Sequence, residues 1–251
     1  MDCVMRITLF LGLCTLLITS PAIADSRFSA TGTHGGVGGD FAYVDRAFEV
    51  GDIDADFTGT LAGVHAYWQR GALLRLEGRL LSGSVDIDTG DDETTESAAY
   101  AEFRVTLGTA TAGGDRLYAG FGVDQFSYNN PASSGNSHSA SFFLPVGIAR
   151  SAPLGAGGWK VLASLEGRYF AHGRESIDDI PGAGDVEFDR RGGWGGEIAV
   201  QFRNVDAAFA IEPYINYARL SNSGSEGVDG ESFRVRGNRA GSTGVRVRWA
   251  F

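Results

Sequence analysis

The chain has 251 residues, a formal net charge of −10 at pH 7 and a mean hydropathy of −0.07. All but one of its 21 basic residues are arginine, the exception being Lys160. Since phosphate binding needs a basic field, this acidic balance argues against a nucleic-acid partner.

The first 24 residues form a segment of their own. Residues 7–18 are mostly apolar, and residues 22–24 (AIA) have the small-x-small form of a cleavage site. A membrane helix needs about 20 apolar residues, so this run is too short to span a bilayer. We therefore expect a secretory signal peptide over residues 1–24, cleaved before Asp25. Both cysteines lie within it, so the mature chain would have no disulfide to stabilise it.

The remaining residues, 25–251, are expected to form one domain with a regular alternation of short and long breaks. The 37 glycines and 6 prolines of the sequence favour strands and turns over helices. Short turns are predicted at 70–72, 111–114, 155–158 and 204–206. Longer polar or acidic loops are predicted at 49–56, 88–96, 129–138, 174–186 and 221–231.

This spacing predicts a series of hairpins. Each unit of about 45 residues has room for two strands, each with about 10 residues in the membrane and several beyond it, one long loop and one short turn. Five units make ten strands, with eight as the alternative count. Short turns and long loops then lie at opposite ends of the domain, and both chain termini fall at the short-turn end.

The predicted strands carry one apolar and one charged face. Residues 99–108, 159–170 and 194–203 alternate in this way, and the charged faces also contain glycine and tyrosine. A soluble β-sandwich would turn the charged faces toward water and share an apolar core. A closed antiparallel transmembrane β-barrel, all-β in class, satisfies both faces, with lipid outside and a polar lumen inside. We expect the barrel and keep the sandwich as the alternative.

The chain ends in the alternating sequence VRVRWAF. With the leader, the acidic loops and the short turns, this ending resembles the outer-membrane β-barrel proteins of Gram-negative bacteria, in particular the small ten-stranded members. The resemblance implies location in the outer membrane, contact with lipid and lipopolysaccharide, and recognition of the last strand by the barrel-assembly machinery. The positions that match this assembly signal are Val245, Val247, Trp249 and Phe251.

Charged residues on the inward faces predict an ionic lumen. Arginine and carboxylate side chains form bidentate pairs and can connect into a network. Such a network would either close the barrel or form a charged constriction in a narrow pore, and the excess of arginine leaves an anion-attracting interior open. The predicted lumen residues are Arg75, Glu77, Arg79, Glu102, Arg104, Glu166, Arg168, Glu197, Arg203, Glu212, Arg246 and Arg248, together with Arg234 and Arg236.

Enzymatic alternatives depend on a few residues near the loops. Asp86, Asp88 and His172 are similar in type to the carboxylates and the Asp/His couple of omptin surface proteases. If Arg75, Glu77 and Arg79 face inward, however, the two aspartates face outward unless a bulge reverses the register. His138, followed by Ser139, is a weak candidate for the kind of site used by barrel-type lipid A deacylases.

No cofactor is indicated, and no His/Cys cluster has metal-ligand spacing. The loop carboxylates are oxygen ligands of the type that divalent cations accept, although none has the spacing of a defined calcium loop. They are Asp52, Asp54, Asp56, Asp91, Asp92, Glu93, Asp178 and Asp179. The sequence thus favours a non-enzymatic surface barrel acting in envelope integrity or surface binding. A narrow diffusion channel is the alternative, and a surface enzyme is the third possibility.

Overall fold

The computed structural model describes residues 33–50, 53–90, 92–111, 115–129, 136–155, 158–180, 184–204, 206–228 and 231–251. The predicted signal peptide lies outside these residues. No helix among them is long and apolar enough to cross a membrane. The strands are β1 (Thr33–Val50), β2 (Ile53–Arg70), β3 (Leu74–Asp88), β4 (Glu93–Ala110), β5 (Arg116–Asn129), β6 (Asn136–Pro153), β7 (Trp159–Ile180), β8 (Gly184–Arg190), β9 (Gly193–Asn204), β10 (Phe209–Leu220), β11 (Glu226–Val228), β12 (Glu231–Phe233) and β13 (Val235–Ala250).

Ten of these strands form a closed antiparallel barrel. Each of β1 to β7 pairs with the next, β7 pairs with β9, β9 with β10, and β10 with β13. The barrel closes where β13 pairs with β1 from Gly36 opposite Ala250 to Val50 opposite Val235. The predicted ten-stranded barrel is confirmed, and the eight-stranded and sandwich alternatives are wrong.

The remaining strands extend the wall at the long-loop end. β8 pairs with the upper part of β7, so β8 and β9 follow one another beside the same neighbour. At their junction lie Gly192 and Gly193, the latter the first residue of β9, and their φ values of 88° and 151° favour glycine. β11 and β12 form a separate short hairpin.

The long loops are shorter than predicted, because most of their residues continue the strands. β1 runs to Val50 and β2 starts at Ile53, so the predicted 49–56 loop is mainly paired backbone. Likewise, much of 174–186 lies in β7 and β8. The acidic composition of these segments suggested loops. However, their apolar residues still alternate with the acidic ones, so one side of each strand remains suitable for burial.

The polarity of the inner and outer faces changes along the barrel axis. In the lower part, apolar residues such as Val64, Leu80 and Val146 are exposed on the outside, and charged residues are buried inside. In the upper part of β3, Val85 and Ile87 are buried and the intervening aspartates are exposed. The lower part has the pattern of a transmembrane barrel, and the upper part has that of a barrel wall in water.

Replacing Gly38 by alanine is expected to lower the free energy of unfolding by about 1–3 kcal/mol. A Cβ there would overlap the Val247 carbonyl oxygen across the seam between β1 and β13. Gly39→Ala is the matched control, since its nearest neighbour, the Gly63 oxygen, lies 4.0 Å from the added Cβ. Urea unfolding in phospholipid vesicles measures both changes. Equal stability of the two variants would contradict the close approach of β1 and β13 at Gly38.

Candidate functional site

The candidate site is a layer of buried ion pairs in the lower lumen. Its members come from seven barrel strands and connect across the lumen as well as along the wall. The arginines are Arg75, Arg79, Arg104, Arg168, Arg246 and Arg248, and the carboxylates are Asp40, Glu77, Glu102, Glu166, Glu197 and Glu212.

Arg246 of the last strand lies at a junction of this layer. Its guanidinium contacts Glu197 at 2.8 Å, Glu212 at 2.9 Å and Asp40 at 3.5 Å. Its side chain is 1% exposed, and it lies over the Tyr214 ring at 3.9 Å from the centroid. Three strands besides its own therefore supply its charge partners.

Arg104 and Arg168 connect the two halves of the layer. Arg104 contacts Glu77 at 2.8 Å and Glu166 at 3.0 Å. Arg168 contacts Glu166 at 2.7 Å and Glu197 at 3.4 Å. Because Glu197 also contacts Arg246, the ion pairs form a continuous network from β3 to the closing seam.

One member of the layer and one residue that contacts it were missed by sequence reasoning. Asp40 of β1 pairs with Arg79 at 2.7 Å. His65 of β2 is 2% exposed, and its Nε2 accepts a hydrogen bond of 2.8 Å from Arg248 Nε. Both occupy inward positions of strands whose faces were not assigned from the sequence.

With Asp40 included, the layer contains six arginines and six carboxylates, so it has no formal net charge. Arg234 and Arg236 do not add to it, because they lie at the exposed end of the barrel, where Arg236 contacts Glu49 at 3.3 Å. Arg203 is near the short-turn end of β9, opposite Lys160. Within the described residues it forms no ion pair. The predicted positive excess is thus not present within this layer of ion pairs. The buried Arg116 lies below it, where its guanidinium donates to Ala72 O at 3.0 Å and to the Thr106 hydroxyl at 3.2 Å.

An apolar layer lies above the ion pairs in the lumen. Phe57 and Leu61 of β2, Leu81 and Val85 of β3 and Phe126 of β5 belong to one buried cluster. A cavity of about 70 Å³ separates the two layers on one side, and another of about 40 Å³ lies on the lower side of the ion pairs. Cavities of this size hold a few water molecules each.

A second buried ion pair lies higher, in the part of the wall beyond the exposed apolar band. Glu175 of β7 pairs with Arg190 of β8, and each is 2% exposed. Burial lowers the pKa of Arg190. Burial also raises the pKa of the nearby Tyr128 phenol, and the negative charge of Glu175 raises it further. This pair joins β7 to β8 beside an apolar cluster that contains Phe188 and Val235.

The residues considered for enzymatic chemistry are not brought together. Asp86 and Asp88 are exposed on the outside of β3, whose register to its neighbours is continuous. His172 lies on β7, from which β3 is separated by three intervening strands. His138 and Ser139 are consecutive in β6 and therefore point to opposite faces.

The acidic residues proposed as cation ligands also lie apart from the lumen. Asp54, Asp56 and Glu93 are exposed on the outer wall, and Asp92 is exposed before β4. Among the residues that the structure describes, no group of three or more ligating side chains could hold a metal ion. Asp52 and Asp91, and the side chains of Asp178 and Asp179, are outside the described set.

The terminal strand has the two faces that its sequence predicts. Val245, Trp249 and Phe251 are exposed on the outside, with Val247 partly covered, whereas Arg246 and Arg248 are buried. The last residue continues the pairing, because Phe251 N donates to Gly35 O at 2.9 Å and Gly35 N donates to Phe251 O at 3.1 Å.

No protein-family model matches the chain, and no curated protein is similar to it in sequence. Among solved structures, the outer membrane protease OmpT of Escherichia coli is similar in fold, with a TM-score of 0.55 and 10% identity over 89% of this chain and 98% of OmpT. Neisserial surface protein A covers 88% of this chain and 99% of its own at 14% identity, with a TM-score of 0.38. The translocator domain of NalP from Neisseria meningitidis covers 100% and 98% at 11% identity, with a TM-score of 0.40. The chain therefore has the fold of a Gram-negative outer-membrane β-barrel.

Proposed function

We propose that this protein is a non-enzymatic outer-membrane barrel with a closed lumen, acting in envelope integrity or as a surface for binding at its upper wall. The observation that carries the proposal is the double closure of the lumen. A charge-balanced network of buried ion pairs fills the lower part, and an apolar layer covers it. Both layers fill the lumen with side chains and so block a path for solutes.

The outer surface supports location in a membrane. A band of exposed apolar residues surrounds the lower barrel, and Leu80, Leu107 and Val146 are among its most exposed members. Exposed aromatic residues lie near its two ends, as in the aromatic girdles of membrane barrels. They are Trp68, Trp159, Trp249 and Phe251 at the short-turn end, and Tyr43, Tyr169, Trp194 and Tyr217 toward the long-loop end.

A narrow diffusion channel is the second candidate, and the charged lumen is the observation in its favour. Conduction would need a water path past Arg104 and Arg168, whose guanidinium groups each contact carboxylates from two or more strands. Opening such a path means separating buried charges, which is costly when a partner is left alone. The closed barrel is therefore the better supported proposal.

A purified-protein bilayer experiment tests the closed lumen. We expect no steady conductance from the wild-type chain in a planar bilayer, because the ion pairs leave no continuous aqueous path. Arg104→Ala, Arg168→Ala and the exposed-wall control Arg236→Ala are measured alongside it. Steady wild-type conductance that changes with Arg104→Ala or Arg168→Ala, but not with Arg236→Ala, would overturn the proposal in favour of the channel.

A surface enzyme stays the third possibility because OmpT, which shares the fold, is a protease. Peptide cleavage and lipid A modification by whole cells are the assays. Activity that is lost in Asp86→Ala or His172→Ala would favour an enzyme, although these residues lie on separate parts of the outer wall.

A further inference from the structure

Two arginines face each other on the outer wall, above the apolar band. Arg219 of β10 lies directly opposite Arg239 of β13 in the antiparallel register, and both side chains are exposed. Like charges at directly opposite positions of neighbouring strands repel each other. An anion between them would replace this repulsion by attraction.

The partners of these two arginines distinguish them from Arg174, another exposed arginine of the upper wall. Arg174 has two carboxylates within reach, Glu187 at 3.3 Å and Asp189 at 3.5 Å. Arg239 has a single, longer contact of 3.6 Å to Asp56. Arg219 has no carboxylate within ion-pair distance among the described residues. Because only Arg239 has a carboxylate within ion-pair distance in the described part of the chain, the Arg219–Arg239 pair keeps a net positive charge on an otherwise acidic chain.

The pair also lies at a defined height. Trp194 of β9 is directly opposite Arg219, and its ring centroid is 5.6 Å from that of Tyr217. Trp194 and Tyr217 are 59% and 41% exposed, so they present their rings outward. Tyrosine and tryptophan favour the level of lipid headgroups. Arg219, which follows Tyr217 on the same face, therefore lies at the level of lipid phosphates.

We infer that Arg219 and Arg239 bind the phosphate of an anionic lipid in the outer leaflet, with Trp194 and Tyr217 beside its glycerol and acyl region. The inference rests on the membrane placement in the proposed function and adds a specific lipid site to it. Arginine suits this role because its planar guanidinium forms bidentate hydrogen bonds with phosphate oxygens. Opposite arginines on two strands approach one phosphate from both sides.

Local fluorescence quenching tests the inference. In a full-length chain carrying Trp68→Phe, Trp159→Phe and Trp249→Phe, Trp194 is the remaining tryptophan. This chain is inserted into phosphatidylcholine vesicles that contain either brominated phosphatidic acid or brominated phosphatidylcholine. We expect each arginine to contribute about a five-fold preference of the site for phosphatidic acid over phosphatidylcholine, detected as stronger quenching of Trp194. The preference should fall to about one in the Arg219→Gln/Arg239→Gln variant and persist in Arg236→Gln.

Several outcomes would overturn the inference. Equal quenching by the two lipids, or a preference that survives Arg219→Gln/Arg239→Gln, would show that the arginines do not select the phosphate. Loss of the preference on adding inorganic phosphate would show that the pair binds free phosphate instead of lipid. A change of gel mobility on boiling checks that every variant is folded.

Wild-type conductance in the bilayer experiment would refute the closed lumen while leaving this lipid preference unaffected. Absence of quenching by both lipids would refute membrane placement and the lipid site together.

Discussion

Replacement of Arg246 by methionine is expected to lower the free energy of unfolding by about 3–5 kcal/mol, the usual cost of leaving a buried charge without its partner. Arg246 contacts Glu197, Glu212 and Asp40 and is 1% exposed. Removing its guanidinium leaves Glu197 with a single contact at 3.4 Å to Arg168. The carboxylates that it joins come from three different strands, so the loss also weakens the contact across the lumen.

The measurement is urea unfolding of the purified chain in phospholipid vesicles, followed by tryptophan fluorescence. Arg236→Met is the control, because Arg236 is 55% exposed and its pair with Glu49 is a surface ion pair worth less than about 1 kcal/mol. If Arg246→Met and Arg236→Met change the stability equally, the lumen network does not stabilise the barrel. A stabilised Arg246→Met variant would show that the ion pairs serve some purpose other than stability.

The class of fold was predictable because a single rule governs every strand. Residues on one face must suit lipid and residues on the other a lumen, and the alternation in 99–108 and 194–203 already satisfies that rule. The short turns could be located because glycine and asparagine residues mark them. The full length of the strand extensions was not predicted, because acidic residues that favour loops in isolation also suit the water-exposed face of a paired strand.

The composition of the site was more predictable than its contacts. Inward charges follow from alternation within a strand. Which arginine meets which carboxylate depends on the stagger between strands that are distant in sequence, and no local pattern specifies this. Arg246 shows the limit, because alternation places it in the lumen but does not indicate that it contacts Asp40 and Glu197. Asp40 could be recognised only after Gly36 to Val50 had been paired with the last strand.

The change of polarity along β3 places an apolar layer of the lumen above a charged one. In the lower part, Glu77 and Arg79 face inward and are satisfied by partners across the lumen. Above them, Val85 and Ile87 face inward and exclude water. The strand continues in one register, so the same face serves as an ionic lining below and as an apolar core above. The outer face changes in the opposite sense, from lipid-facing leucine to aspartate.

Deletion of Phe251 is expected to reduce, several-fold, the amount of folded barrel that reaches the outer membrane. The resemblance to outer-membrane barrels assigns Phe251 to the signal read during assembly. In the structure it also forms two backbone hydrogen bonds with Gly35, and its ring lies so close that a Cβ added to Gly35 would be 3.0 Å from it. The deletion therefore removes a recognition element and the last contact of the closing seam.

Two measurements separate these effects. Gel mobility with and without boiling gives the folded fraction in isolated outer membranes, and refolding of the purified chain into vesicles gives the intrinsic contribution of the seam. Phe209→Ala is the control, since Phe209 is an aromatic residue of the same end that packs against Trp249 at 5.7 Å but leaves the terminus intact. A truncated chain that refolds in vesicles and yet fails to assemble in cells would locate the defect in recognition. Normal assembly of the truncated chain in cells would show that Phe251 is not part of the signal.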